Sequence, residues 1–329
     1  MRSSPRTRPS ASPRWVARAP SSSEEGVGGG GGARVRPGQH HPPAPSSEEE
    51  GETVAEALRE AARRLGTVTD TARLDAELLM AATLGVSRSD LLLWRMRDPV
   101  PEAFAALVKR RLAHEPVAQI LGRKEFYGRE FRVTRDVLIP RADSETTVAA
   151  AIEACPAGGR ILDCGTGSGA LLLTLLAELP QASGVGIDRS PAALAVAADN
   201  AGRLGLSGRA ELRLGDWHRP DWRDALGTFA CVIANPPYVE DDAELALSVS
   251  EYEPAEALFA GPDGLDDYQV LIPQLPALLA PGGCAVLEIG ATQAGPVREI
   301  AAGAGFLADV RRDLGGRDRA VILRLGLGK

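Results

Sequence analysis

Ile161-Leu162-Asp163-Cys164-Gly165-Thr166-Gly167-Ser168-Gly169 is the most informative stretch of this chain. An apolar run of strand length, 160–164, meets three alternating glycines, and a helical apolar run, 170–179, follows at once. Glycine lets the backbone turn tightly and come close to a ligand. The helix N-terminus behind it adds oriented N–H donors. A strand, a glycine turn and a helix in that order predict a nucleotide-type site at the carboxyl edge of a parallel sheet. Working outward, apolar runs predict strands at 184–187, 210–214, 230–234, 284–289 and 320–325, and a helix at 191–204. Strands alternating with helices place the chain in the α/β class, with a doubly wound, Rossmann-like sheet covered on both faces.

Two cofactors compete for the glycine turn. Gly165, Gly167 and Ala170 satisfy the dinucleotide fingerprint, and Asp188, ending the second strand, suits ribose hydroxyls. Asp163 at the mouth of the loop would repel a pyrophosphate and suits a cationic ammonium or sulfonium. That favours S-adenosylmethionine. The competing reading of Asp163 is a carboxylate that only orders the turn. Asp216-Trp217 follows the third strand, where loops line the ligand crevice. Trp217 is expected on the adenine face and Asp216 at the adenine amino group.

Asn235-Pro236-Pro237-Tyr238 directly follows the strand at 230–234. Neither proline has an N–H, and proline holds the residue before it extended. The turn is therefore rigid and rich in acceptors, above all the Asn235 side-chain oxygen. Such a wall suits a donor-rich ligand NH₂ on a planar group. Accepting its hydrogens aims the nitrogen and stabilises the positive charge that develops as it is alkylated. Tyr238 is expected to cover the planar group. Asn235, Pro236 and Tyr238 are thus the catalytic candidates, and Pro237 joins them in the substrate pocket. The plainer reading is a strand-ending Pro-Pro turn with an Asx bond at Asn235.

The remaining sequence frames this core. The 329 residues are enough for two domains. Residues 1–51 carry five arginines before the first acid, Glu24, then a glycine run, 28–32, and Glu48–Glu50. They read as a disordered tail. An organellar transit segment is the lesser alternative, because Pro5, Pro9 and Pro13 interrupt any targeting helix. Residues 52–115 predict a bundle of four short helices. The first carries Val54, Leu58, Ala61, Ala62 and Leu65, and the second Leu74, Leu78, Leu79 and Ala82. Ser87 caps the third, and Pro101 opens the fourth. Residues 116–142 read as an extended linker with a hairpin around Gly128, and 143–329 as the α/β domain. Cys155, Cys164, Cys231 and Cys284 form no CxxC pair or Cys/His cluster. No metal is expected, and the thiols read as buried apolar residues of a reducing compartment, the cytoplasm. No apolar run is long enough to span a bilayer. The net charge of −7 disfavours stable nucleic-acid binding.

Taken together, the glycine loop, Asp188, Asp216-Trp217 and Asn235-Pro236-Pro237-Tyr238 resemble class I S-adenosylmethionine-dependent methyltransferases of planar NH₂ groups. The flanks narrow the resemblance to the HemK/PrmC family: residues 114–122, Glu125-Phe126-Tyr127-Gly128, Leu138-Ile139-Pro140-Arg141, Tyr252-Glu253-Pro254 and Asp263-Gly264-Leu265. The resemblance covers about residues 52–329. It implies a seven-stranded, mostly parallel sheet and a small N-terminal helical domain that docks substrate. It also implies methylation of the glutamine N5 in the Gly-Gly-Gln motif of class I peptide chain release factors. Ala118-Gln119 and Ala142-Asp143-Ser144-Glu145 depart from its commoner forms. Two other classes stay open at this stage. One is a nucleic-acid amino methyltransferase acting on adenine N6 or an rRNA guanine; the other is a non-enzymatic binding module on the same fold.

Overall fold

The structure, a computed structural model, describes residues 52–155 and 159–326; the segment read as a disordered tail lies outside the described residues. Helix α1 (Val54–Leu65) opens on a capping box, Thr53 with Glu56, and buries Val54, Ala57, Leu58, Ala61 and Leu65. Helix α2 (Ala72–Leu84) stops at Gly85, whose φ of 66° is left-handed. Its buried face differs from the expected stripe. Leu74 is exposed, while Asp75, Ala76, Glu77, Leu79, Met80 and Ala81 are buried. The two acids are buried because each is paired. Helices α3 (Arg88–Trp94), capped by Ser87, and α4 (Ala103–Leu112) each supply a partner, and Arg73 of α2 itself supplies another. Arg111 Nε donates to Asp75 Oδ2 at 2.7 Å, and Glu77 accepts from Arg73 at 2.8 Å and Arg88 at 2.7 Å.

The extended reading of the linker needs one correction. Residues Val117–Leu121 form a short helix, α5, whose Ile120 packs into the core of the bundle. Five residues are too few for periodicity to separate helix from strand. Gly122, at φ 68°, ends the helix. The expected hairpin follows: β1 (Arg123–Phe126) and β2 (Arg129–Arg132) turn at Tyr127-Gly128.

The α/β part then runs α6 (Ser144–Ala154), β3 (Arg160–Cys164), α7 (Ala170–Glu178), β4 (Ser183–Asp188), α8 (Pro191–Arg203), β5 (Ala210–Leu214), β6 (Phe229–Ala234), α9 (Leu247–Ser250), α10 (Asp266–Leu271), β7 (Leu279–Glu288), α11 (Ala294–Gly303), β8 (Phe306–Arg312) and β9 (Asp318–Leu325). The sheet has seven strands in the order β5-β4-β3-β6-β7-β9-β8. Pairing is parallel from β5 to β7, and β9 is antiparallel to both its neighbours. Side chains alternate between two core layers. Ile161, Cys231 and Ile233 pack with Val148 of α6 and Leu172 of α7. Leu162, Val232 and Leu287 pack with Tyr268 of α10 and Val297 of α11. The four cysteines are buried, as expected. Strand β8 has no counterpart among the strands read from the sequence. It lies at the sheet edge, and its apolar residues are broken by Asp309, Arg311 and Arg312. Among the described residues no helix is long and apolar enough to cross a membrane.

Candidate active site

The strand order places β6 between β3 and β7. Cys164, Ala234 and Leu287 stand in register, so the residues just beyond them, Gly165, Asn235 and Glu288, reach the same carboxyl edge. Asp188 ends β4 opposite Leu214 of β5, which brings Asp216-Trp217 to that edge as well. One cavity joins them. Gly165, Thr166, Gly167, Ser168, Asp188, Asp216, Trp217, Asn235 and Pro237 all line it.

Each glycine of the loop sits in the left-handed region, with φ of 76° at Gly165, 55° at Gly167 and 81° at Gly169. The backbone N–H groups of Gly165 and Thr166 both donate to Ile187 O, which ties the loop to β4. Asp188 accepts from Gly167 N at 2.8 Å and Ser190 N at 2.9 Å, and burial holds its carboxyl above the usual range. Gly169 lies behind the wall, where a Cβ would press on Leu173.

Asp163 was expected at the mouth of the loop. The structure seats it beneath, fully buried. One oxygen accepts from Thr166 Oγ1 at 2.7 Å, and the other has no partner. Burial pushes this carboxyl up to about 7. This is the geometry of a carboxylate that orders the turn.

The Trp217 ring lies against Gly165: a Cβ there would stand 3.0 Å from Trp217 Cη2. Its indole N–H donates to Asp267 Oδ1 at 2.8 Å, and its carbonyl accepts from Gln274. Asp216 turns back to accept from His218 N at 3.0 Å. Sequence reading singled out neither Asp267 nor Gln274, since neither falls in a pattern of its own.

Of the four residues expected to form the wall, Asn235 and Pro237 line the cavity, whereas Pro236 and Tyr238 are not among its lining residues. Pro236 and Pro237 are buried, and Asn235 Oδ1 is buried without a hydrogen-bond partner. A buried orphan acceptor costs about 1–3 kcal/mol, which a donor in the cavity recovers. Tyr238 packs behind the cavity wall, and burial first, then the nearby Glu288 charge, pushes its phenol up to about 12. The turn itself is held from outside. Gln293 Nε2 donates to Tyr238 O at 3.0 Å and Gly264 O at 3.1 Å. Gly264 has φ 64°, and a Cβ there would collide with the Tyr238 carbonyl. That explains the glycine in Asp263-Gly264-Leu265.

Tyr252-Glu253-Pro254 fastens the helical part to this site. Gln119 Nε2 donates to Tyr252 O at 2.7 Å, and Tyr252 OH donates to Ala113 O at 2.6 Å. Arg135 lies 4.5 Å from the Tyr252 ring centre. Glu253 is buried, accepts from Ile139 N at 2.9 Å and pairs with Arg141. Pro254 and Arg141 then line the cavity.

Comparison with known proteins agrees with this arrangement. Residues 56–122 match the PrmC N-terminal domain, and residues 156–289 match a methyltransferase domain. The release factor glutamine methyltransferase of Cereibacter sphaeroides is 45% identical over 282 residues, covering 83% of this chain and 98% of the relative. The chain belongs to the release factor glutamine methyltransferase family. The protein so named in Rhodospirillum rubrum is 42% identical, covering 77% of this chain and 78% of its own. That of Moorella thermoacetica is 40% identical, covering 82% and 98%. Fold and family together make this an S-adenosylmethionine-dependent methyltransferase with a helical N-terminal domain. The cavity fits that donor: a left-handed glycine cradle, a carboxylate at the end of β4 and an aromatic face at Trp217. Among the described residues no group of His, Cys, Asp or Glu is placed to hold a metal ion.

Proposed function

We propose that this protein methylates the side-chain amide N5 of the glutamine in the Gly-Gly-Gln motif of class I peptide chain release factors, in the cytoplasm. The observation that carries the reading is the unpartnered Asn235 Oδ1 in a wall whose prolines donate nothing. The relatives named above, called release factor glutamine methyltransferases, support methylation of a release factor glutamine.

S-adenosylmethionine, when bound, supplies an electrophilic methyl on a sulfonium. Gly165, Thr166, Gly167 and Ser168 form its cradle, with Gly169 turning the chain behind them and Asp163 acting through Thr166. Asp188 meets the ribose, and Trp217 and Asp216 meet the adenine. Asn235 Oδ1 and a carbonyl of the Pro236-Pro237 turn accept from the glutamine NH₂. An amide nitrogen is a weak nucleophile because its lone pair is delocalised. Two acceptors fix its direction and stabilise the charge it gains. Pro237 lines the pocket, and the buried Pro236 together with Tyr238 backs that wall rather than covering the planar group, so water is kept out from behind.

Incubation of a purified release factor with this protein and S-adenosylmethionine, read by peptide mass spectrometry, tests the proposal. One added methyl on the Gly-Gly-Gln glutamine is the expected result. An unmodified factor, with label appearing on rRNA or DNA instead, would replace it with base methylation.

A further inference from the structure

Asp216 and Trp217 line the cavity, and both are held by residues outside its lining. The Trp217 indole N–H donates to Asp267 Oδ1 at 2.8 Å, which leaves the ring face for a ligand. Asp216 Oδ1 accepts from His218 N at 3.0 Å. The His218 ring then spans the two acids. Its Nδ1 stands 3.1 Å from Asp216 Oδ1, and its Nε2 stands 3.5 Å from Asp267 Oδ1. The ring centre lies 5.9 Å from that of Trp217, with the planes 32° apart. His218 thus joins the acid beside Trp217 to the acid of α10 that holds the indole.

The chemistry of imidazole makes this bridge conditional. A neutral ring has one N–H and one bare lone pair. Either tautomer therefore turns a lone pair towards a carboxylate oxygen. Only the imidazolium donates at both ends and offsets both negative charges. The side chain is 40% exposed, so it trades protons with solvent directly.

We infer that His218 is a positioning residue for the cofactor: its imidazolium holds Asp216 and, through Asp267, the Trp217 indole in the arrangement that receives adenine. This rests on the proposed placement of adenine at Trp217 and Asp216. The bonds from His218 fall on Asp216 Oδ1, which leaves Oδ2 for the adenine amino group. When the ring loses its proton, one end of the bridge turns repulsive and the adenine site loosens. Cofactor affinity is greatest with His218 charged. It falls as pH rises through the range in which imidazoles titrate, between about pH 5 and about pH 8.

The neighbouring charges are few. Burial acts against it, yet the amide and ring of His218, with Arg189, hold the Asp216 carboxyl below its ordinary value. Burial holds the Asp267 carboxyl above its ordinary value, against the Trp217 bond and the charges of His218 and Arg189, and Asp266 adds to the rise. Arg189, which lines the cavity, is itself engaged with Glu256 O at 2.7 Å. Asp216 therefore stays ionised wherever the ring gains or loses its proton.

The test is calorimetric binding of methylthioadenosine to the full chain from roughly pH 5.5 to roughly pH 8.5. This probe keeps the adenosine and thioether of the product and has no amino-acid group of its own to titrate. Wild type should bind it roughly three- to tenfold more tightly than His218→Gln at the acid end, the worth of one hydrogen bond, and the two should converge at the alkaline end. Made in an Asp267→Asn background, the same His218→Gln change should lose most of that pH-dependent difference, because a neutral ring then satisfies Asp216 without facing a second charge. In methyl transfer, His218→Gln should raise the KM for S-adenosylmethionine at acid pH and leave kcat close to wild type. A loss of affinity equal at every pH would mark a packing role and overturn the inference, as would no loss at all. A pH-dependent difference that persists undiminished in the Asp267→Asn background also overturns it. A wild type that binds neither methylthioadenosine nor S-adenosylhomocysteine overturns the cofactor placement, and the role of His218 with it. A wild type that binds both with the expected pH dependence, yet leaves a release factor unmethylated, overturns the substrate reading alone and supports the role of His218.

Discussion

In the proposed reading Asn235 acts through one atom, its Oδ1, which is buried without a hydrogen-bond partner. Asn235→Ala should bind S-adenosylmethionine about as tightly as wild type and lose roughly 3 kcal/mol of transition-state stabilisation, about 100-fold in turnover. Calorimetry for the cofactor and single-turnover methylation separate the two effects, and near-normal turnover would show that the acceptor is elsewhere. Gly165 is constrained twice, by φ of 76° and by the Trp217 ring 3.0 Å from any added Cβ. Gly165→Ala should therefore weaken cofactor binding by tenfold or more, about 1–2 kcal/mol, through left-handed strain and displacement of the indole. The measurement is cofactor affinity together with Trp fluorescence.

At the scale of elements, the α2–α4 contact is decided by charge as well as by apolar periodicity. Asp75 and Arg111 are 7% and 6% exposed and paired at 2.7 Å. Arg111→Ala strands a buried carboxylate and should cost about 3–5 kcal/mol, whereas replacing both partners by apolar residues should be close to neutral. Thermal melting of the two variants distinguishes these outcomes. The segment at Tyr252-Glu253 joins helices and sheet through Gln119, Ala113, Ile139 and Arg141. Tyr252→Phe removes the bond to Ala113 O and should raise the KM for the release factor several-fold, with cofactor affinity unchanged. Equal KM values would mean that this bond does not position the helical part for substrate. Here tertiary context overrode the local pattern. The α2 stripe shifted because buried salt bridges outweighed the exposure of Leu74, and α5 formed because Ile120 had a core to enter.

At the scale of the molecule, Asp163 and Glu288 are two buried carboxyls at the ends of β3 and β7, on either side of β6, each pushed up to about 7. The unfolded chain holds such groups near their ordinary values, so between about pH 4 and about pH 7 the folded state binds more protons. Their contribution is therefore fully present at low pH and is lost as pH rises through about 7. Glu77 and Glu115, whose carboxyls their arginine partners hold down, act with the opposite sign and lower on the scale. Asp163→Asn should remove part of the decline, so that its unfolding free energy, read by denaturant titration, gains on wild type as pH rises from about 4 to about 7, by a few kcal/mol at most. A constant gap would mean that Asp163 stays ionised in the fold. The glycine cradle, Asp188, Trp217 and the Asn235 wall were all legible in consecutive residues. The reason is that positive φ, a missing N–H and apolar alternation are local properties, written where they act. Strand β8, helix α5, the seating of Asp163 beneath its loop, the bonds of Gln293 to Tyr238 O and Gly264 O, and the pairing of Glu253 with Arg141 were not legible. These depend on which distant segments pack together, and only the folded chain brings such residues within reach and sets the burial that shifts their charges.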